Sequence, residues 1–276
     1  MNRIPTPLLV ALMPALFLTA YAETSQLPSD PALVYVRVAA TERMGRPVTG
    51  LRKEEFKVSE DNSPQDIAYF SGETLPLHVA ILLDASGAIK DDVKARALAG
   101  LTSANARDDE LFVVEPGNTP LNDAVLQTLN TLAQRGNDKK RALVLFTSRS
   151  DPDRYSFSKV RDRLKELDIQ LYVTALPERS DVSNDSGRQT LRDLAELSGG
   201  NSFFPSSMIQ LENVYRTIGI ELRNQYLIGY RSTNGATDGK WRKIKITAEH
   251  RDEVRKKVTQ MNVRTKPGYY AATAAK

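Results

Sequence analysis

The feature that most constrains this chain is a short apolar run, Val79-Ala80-Ile81-Leu82-Leu83, opened by His78 and stopped by Asp84. A segment that is apolar at every position has no solvent side, so it predicts a strand buried on both faces of a parallel sheet. The next 140 or so residues repeat the theme. Val93, Ala97 and Leu101 stand at helical spacing and predict a helix over 91–104. Strands over 110–115, 141–147, 169–175 and 202–204 then alternate with helices over 121–135, 157–167, 189–198 and 211–224. Such alternation predicts an open, doubly wound (Rossmann-like) α/β sheet spanning residues 76–224.

On either side the pattern is β. Val34, Val36 and Val38 alternate with Tyr35, Arg37 and Ala39, and short strands are expected at 56–58 and 67–70, with a turn over 60–64 between them. Beyond Gln225, strands are expected at 226–230, 241–248 and 259–263. The flanks, 33–74 and 225–276, are each too small to close a core. They are expected to pair into one small β-sandwich with the α/β unit inserted between its halves.

The first residues read as an address rather than as fold. Arg3 precedes an apolar run from Leu8 to Leu18, and Ala20-Tyr21-Ala22 has the small-x-small form of a signal-peptidase site. The run is short for a bilayer span. Residues 1–22 are therefore expected to be a cleaved secretory signal, leaving a secreted or periplasmic protein with no integral membrane segment. With no Cys in the chain, disulfides, thiol catalysis and thiolate metal sites are excluded. The net charge of +4 gives no case for nucleic acid. Residues 231–276 carry twelve Lys and Arg against four Asp and Glu, an excess read as a solvated strand face.

In an open α/β sheet, ligands bind beyond the carboxyl ends of the strands, where the strand order reverses. Three loops belong to that edge: Asp84-Ala85-Ser86-Gly87-Ala88, Gly117-Asn118-Thr119-Pro120-Leu121 and Thr147-Ser148-Arg149-Ser150-Asp151. One carboxylate and several hydroxyls suit a hard divalent cation such as Mg²⁺. The competing expectation is that Asp84 and Ser86 only cap the helix after them.

Ile81-Leu82-Leu83-Asp84-Ala85-Ser86-Gly87, with Asn118-Thr119-Pro120-Leu121-Asn122-Asp123-Ala124 further along, resembles the metal-ion-dependent adhesion site of von Willebrand factor A (vWA) domains. Gly45-Arg46-Pro47-Val48-Thr49-Gly50-Leu51, Gln225-Tyr226-Leu227-Ile228-Gly229-Tyr230 and Pro267-Gly268-Tyr269-Tyr270 resemble the flanks of the bacterial proteins grouped as VWFA-related, known especially from acidobacteria. The resemblance implies metal ligands at Asp84, Ser86 and Thr119. It also places Ala88 and Ser148 where the family has a serine and an aspartate, so two ligand positions depart from its pattern, with Asp151 or Asp153 as candidate substitutes. The short interval between Glu115 and Thr119 implies that an edge element of the sheet is missing. The implied function is protein–protein interaction in adhesion or assembly, with an unidentified protein partner that offers the metal a carboxylate. A metal-free scaffold and an Asp84-dependent hydrolase are the alternatives.

Catalysis has little else to use. His78 opens a buried strand, and His250 has no acidic partner close in sequence. There is no Gly-x-Ser-x-Gly elbow and no phosphate-binding Gly-Lys-Ser/Thr loop. Phe203-Phe204, Tyr269-Tyr270 and Trp241 are expected to be packing residues rather than ligand platforms. No enzyme activity is expected.

Overall fold

The computed structural model describes residues 30–43, 45–72, 75–84, 87–102, 108–136, 139–147, 156–175, 185–252 and 256–273. The N-terminal flank contributes β1 (Val34–Thr41), β2 (Phe56–Glu60), β3 (Ser63–Gln65) and β4 (Ile67–Ser71). The central unit runs β5 (Leu77–Asp84), α1 (Gly87–Thr102), β6 (Glu110–Val114), α2 (Leu121–Ala133), β7 (Lys140–Thr147), α3 (Ser158–Glu166) and β8 (Gln170–Ala175). It closes with α4 (Asp185–Leu197), β9 (Asn201–Phe203) and α5 (Leu211–Arg223). The C-terminal flank adds β10 (Gln225–Tyr230), β11 (Trp241–Asp252), β12 (Lys257–Gln260), β13 (Asn262–Thr265) and β14 (Gly268–Tyr270).

The central sheet is parallel throughout, in the order β6-β5-β7-β8-β9. All eight residues of β5 are buried, as a strand with helices on both sides requires. Its side chains divide between two cores. Val79, Ile81 and Leu83 pack with α1 and α5 through Val93, Ala97, Tyr215 and Ile218. Ala80 and Leu82 pack with α2, α3 and α4 through Val125, Leu129, Leu164 and Leu194. The layers are therefore helix, sheet, helix, and the expected open doubly wound sheet is present in the trimmed form the resemblance implies. α2 shows how local sequence serves this arrangement. Leu121, Ala124, Val125, Leu129 and Leu132 fall on one face, and Pro120 precedes the helix with its φ already near the helical value.

The flanks build a two-sheet sandwich, also as expected. One sheet is β13-β1-β10-β4, the other β12-β11-β2-β3, with β14 added to β11. β1 pairs antiparallel with β10 from Val34↔Tyr230 to Ala39↔Gln225. Val36, Val38, Phe56, Val58, Tyr226, Ile228 and Ile246 fill the space between the sheets. Phe56, Phe70 and Tyr226 stack within it at centroid distances of 5.1–5.6 Å.

Two local expectations need correction. The turn expected over 60–64 is only Asp61-Asn62, both with positive φ, and Ser63–Gln65 returns as a strand. Two residues of this kind make the mirror-image turn that suits hairpin twist, and Pro64 is tolerated because β3 lies at an edge. The single strand expected at 259–263 is two strands. Met261 turns into the core between them, and the chain passes from β11's sheet to β1's. The basic excess of the C-terminal stretch does lie on a solvated face, with Lys240, Lys243, Lys245, Arg251, Lys256 and Lys257 exposed, while three of its cations turn inward. Arg242 is buried against Asp238, Arg264 pairs with Glu221, and Lys266 donates to the carbonyls of Lys165 and Leu167.

Unit and sandwich meet at the amino ends of the parallel strands through charged groups. Across the boundary, Arg37 of β1 reaches Asp168 at 3.1 Å, while within the α/β unit Arg223 at the end of α5 pairs with Asp109. Asp109 also accepts the Leu77 amide at 2.9 Å. Lys140, 3% exposed, donates to the Leu222 carbonyl at 3.3 Å. Burial, with Arg37 and Arg223 close by, pushes the Lys140 amine down to about 7. Alongside, Tyr172 donates to Glu221 at 2.8 Å and Gln225 donates to Gln170 at 2.8 Å.

Candidate functional site

Alternate winding creates a crevice between β5 and β7. The chain leaves β5 toward α1 on one face and leaves β7 toward α3 on the other, so the two strand ends diverge. Asp84 and Thr147 are the last residues of these strands and are register partners. Asp84 is 1% exposed, Thr147 is fully buried, and the Thr147 hydroxyl donates to Asp84 Oδ2 at 2.9 Å. A buried carboxylate retains its charge only with donors around it, so this bond both orients Asp84 and offsets part of its desolvation. α1 begins at Gly87, three residues beyond, which brings the positive end of a helix close to the same carboxylate.

Thr119 reaches the same edge by a different route. β6 ends at Val114, whose register partner is Leu82, and Pro116–Thr119 form a turn closed by the Thr119 amide and the Pro116 carbonyl at 3.0 Å. Gly117 sits in that turn at φ +59°, a conformation that favours glycine. Thr119 is half-buried immediately ahead of α2. Ser86, Ser148, Asp151 and Asp153, together with the side chain of Ala88, lie outside the described residues. Of the expected ligand positions, then, the structure places Asp84 and Thr119 at one edge of the sheet.

Thr147 is not among the site residues expected from sequence, although it stands in the third loop. The signal is available there: in a parallel pair the residue that ends β7 must lie beside the residue that ends β5. The donor set, one buried carboxylate plus hydroxyls, has the hard-oxygen character of a Mg²⁺ site. With a single carboxylate in place among the described residues, that set suits weak binding.

The remaining candidates have structural partners. His78 is buried, with Nε2 2.9 Å from Glu110 Oε2. His250 Nδ1 lies 3.0 Å from Glu55 Oε1, an acid 195 positions away that also accepts the amides of Arg52 and Arg251. Trp241 packs edge-on against Tyr270 at 5.0 Å. Tyr269 and Tyr230 donate to the buried Glu60 at 2.9 and 2.8 Å. Arg188 and Arg192 lie over the Phe204 ring. Among the described residues, no helix is long and apolar enough to cross a membrane.

No protein-family model matches the chain, and no curated protein matches it. Among solved structures, the chain is similar to the ArnB paralog VWA2 from Sulfolobus acidocaldarius, with a TM-score of 0.42 and 10% identity, covering 86% of this chain and 76% of that one. It is also similar to a diflavin flavoprotein A3 from Nostoc sp., with a TM-score of 0.34 and 11% identity, covering 53% of this chain and 91% of that one.

Proposed function

We propose that this chain is an exported, non-enzymatic interaction module of the vWA type, acting in the cell envelope or outside the cell. Its carboxyl-edge rim docks a protein partner through Mg²⁺. Asp84, Ser86 and Thr119 hold the ion, and a Glu or Asp of the partner completes its coordination. The observation that carries this reading is Asp84, which is buried at the switch point and held by Thr147 beside the start of α1. A carboxylate in that position is oriented before any ligand arrives, and an ion with open positions turns it into a receptor for a second carboxylate. Titration with Mg²⁺ and Mn²⁺, read by calorimetry and thermal shift, tests the proposal. A binding isotherm that Asp84→Ala abolishes is the expected result. No response of the wild-type chain to either ion overturns it.

A second reading keeps the fold and drops the ion. It is favoured by the Thr147 bond, which already engages one carboxylate oxygen, and by Ala88 and Ser148, which lack the oxygen or the charge of the family pattern. Under that reading the chain is a scaffold, and partner binding survives chelator. A hydrolase using Asp84 would show itself as turnover of phosphate esters that is lost in Asp84→Ala.

A further inference from the structure

Strand edges present unpaired backbone groups, and folded proteins protect them with short strands, Pro, Lys or bulges. Among the described residues, every edge but one shows such a device. β9 has three residues, β3 has three and contains Pro64, and β4 shifts register against β10 at Gly229/Tyr230. β12 carries Lys257, and β13 has only four residues. The exception is β6, Glu-Leu-Phe-Val-Val, which has no Pro, no Lys and an unbroken register with β5 over all five residues. Its one sheet neighbour among the described residues is β5.

The side chains of β6 are as incomplete as its backbone. Phe112 and Val114 pack against the α2 side of the sheet and Leu111 and Val113 against the α1 side, and all four are only half-buried. One more strand with apolar residues on both faces would finish both layers. The two ends of the edge carry the same charge pattern. Glu110 is held by Arg135 at 3.0 Å and Lys139 at 2.6 Å, while Glu115 is held by Lys90 at 2.9 Å and Lys94 at 3.3 Å. Within these pairs each carboxylate faces two cations, one positive charge more than it balances, with Asp91 a further acid near Lys90.

We infer that β6 is an acceptor edge for strand addition, taking from a partner protein an extended apolar segment with carboxylates at both ends. Backbone hydrogen bonds supply affinity in such pairing, and alternate side chains with end charges supply selectivity. A second copy of this chain is the poorer occupant, because antiparallel pairing of β6 with itself brings Lys90 and Lys94 of one copy toward Arg135 and Lys139 of the other.

The chain's own sequence provides a probe. A fluorescein-labelled peptide Asp-Glu-Leu-Phe-Val-Val-Glu has the required form without the surrounding cations. In anisotropy titrations against the full chain in EDTA, it is expected to bind saturably, and roughly tenfold more tightly than Lys-Lys-Leu-Phe-Val-Val-Lys. The double variant Lys94→Glu/Arg135→Glu is expected to reverse that preference, and bound peptide should slow amide exchange in residues 110–114. Asp84→Ala is expected to change nothing, which separates this edge from the metal-dependent rim. Failure of the acidic peptide to bind, equal binding of both peptides, or loss of binding in EDTA or in Asp84→Ala would each overturn the inference.

Discussion

The two ends of the parallel strands are built to opposite rules. At the carboxyl end, the buried polar contact joins one carboxylate and one hydroxyl, Asp84 and Thr147, from adjacent strands of one unit. At the amino end, Arg37, Asp109, Lys140, Asp168 and Arg223 converge from the sandwich and from four parts of the α/β unit. The first arrangement holds one group ready and leaves the loops around it open to variation. The second uses its charged groups partly across the boundary, Arg37 with Asp168 and Arg264 with Glu221, and partly within the unit, Arg223 with Asp109.

If that contrast is sound, damage to the amino end should appear in stability and damage to the carboxyl end in ion binding. The largest effect is expected from Asp109→Ala. It removes a carboxylate partner of Arg223 in a site where the two side chains are 9% and 1% exposed and also removes the acceptor of the Leu77 amide. A loss of about 3–5 kcal/mol is expected in urea unfolding, because breaking a buried pair leaves an uncompensated charge. Retention of full stability would show that the buried Asp109–Arg223 pair carries little of the unit's stability.

Lys140→Met should act in the opposite direction. The amine titrates near 7 in the folded chain and near its ordinary 10.5 when unfolded. Between those values the unfolded chain binds more protons, so Lys140 makes stability rise with pH across that window, and its penalty is full below about pH 7. Removing it should raise stability by a few kcal/mol at pH 6.5, at most about 4–5 kcal/mol for the full shift, and flatten the part of the rise between pH 7 and 9 that it causes. Denaturation midpoints at pH 6.5, 7.5 and 8.5 check both. An unchanged slope would mean that Lys140 stays charged throughout.

At the carboxyl end the stability changes are smaller and the binding changes larger. Thr147→Val keeps the packing volume but removes the donor to Asp84, for an expected cost of about 1–2 kcal/mol. The same substitution should weaken Mg²⁺ binding by thermal shift, since the carboxylate loses its orientation. Gly117→Ala meets no neighbouring atom, so its cost of about 1 kcal/mol is that of the positive φ alone. It should displace Thr119 enough to lower the apparent ion affinity. Equal stability losses at both ends, with no change in ion response, would erase the distinction between them.

The same contrast explains what the sequence discloses. β5 is legible because five consecutive apolar residues admit one reading, and the helices because their apolar spacing is local. Asp84 and Thr119 stand out because loops that open helices carry small polar residues contiguously. The joint is illegible: Arg37 and Asp168, or Arg264 and Glu221, are ordinary charged residues until folding brings them together. His250 and Glu55 are a similar case, with 195 positions between them. β12 and β13 merge in a reading of the sequence because Thr259 to Val263 has no Gly or Pro, and the break at Met261 comes from tertiary packing of a side chain. The start of α4 at Asp185, four residues ahead of its expected start at Gln189, comes after a stretch whose polar composition hides the helical period.

The sandwich's strand pairing has a consequence for the order in which the chain can acquire its shape. Ser71 of β4 is hydrogen-bonded alongside Leu227 of β10, although the entire α/β unit lies between them in the chain. Were that unit a loose loop of roughly 150 residues, bringing its ends together would cost on the order of 4 kcal/mol plus a constant. Once the unit is folded, α5 delivers Gln225 directly beside the amino ends of the strands and the closure cost largely disappears. The inserted unit is therefore expected to fold first and template its host, so that a truncated chain lacking it should leave the two flanks without a means of finding each other.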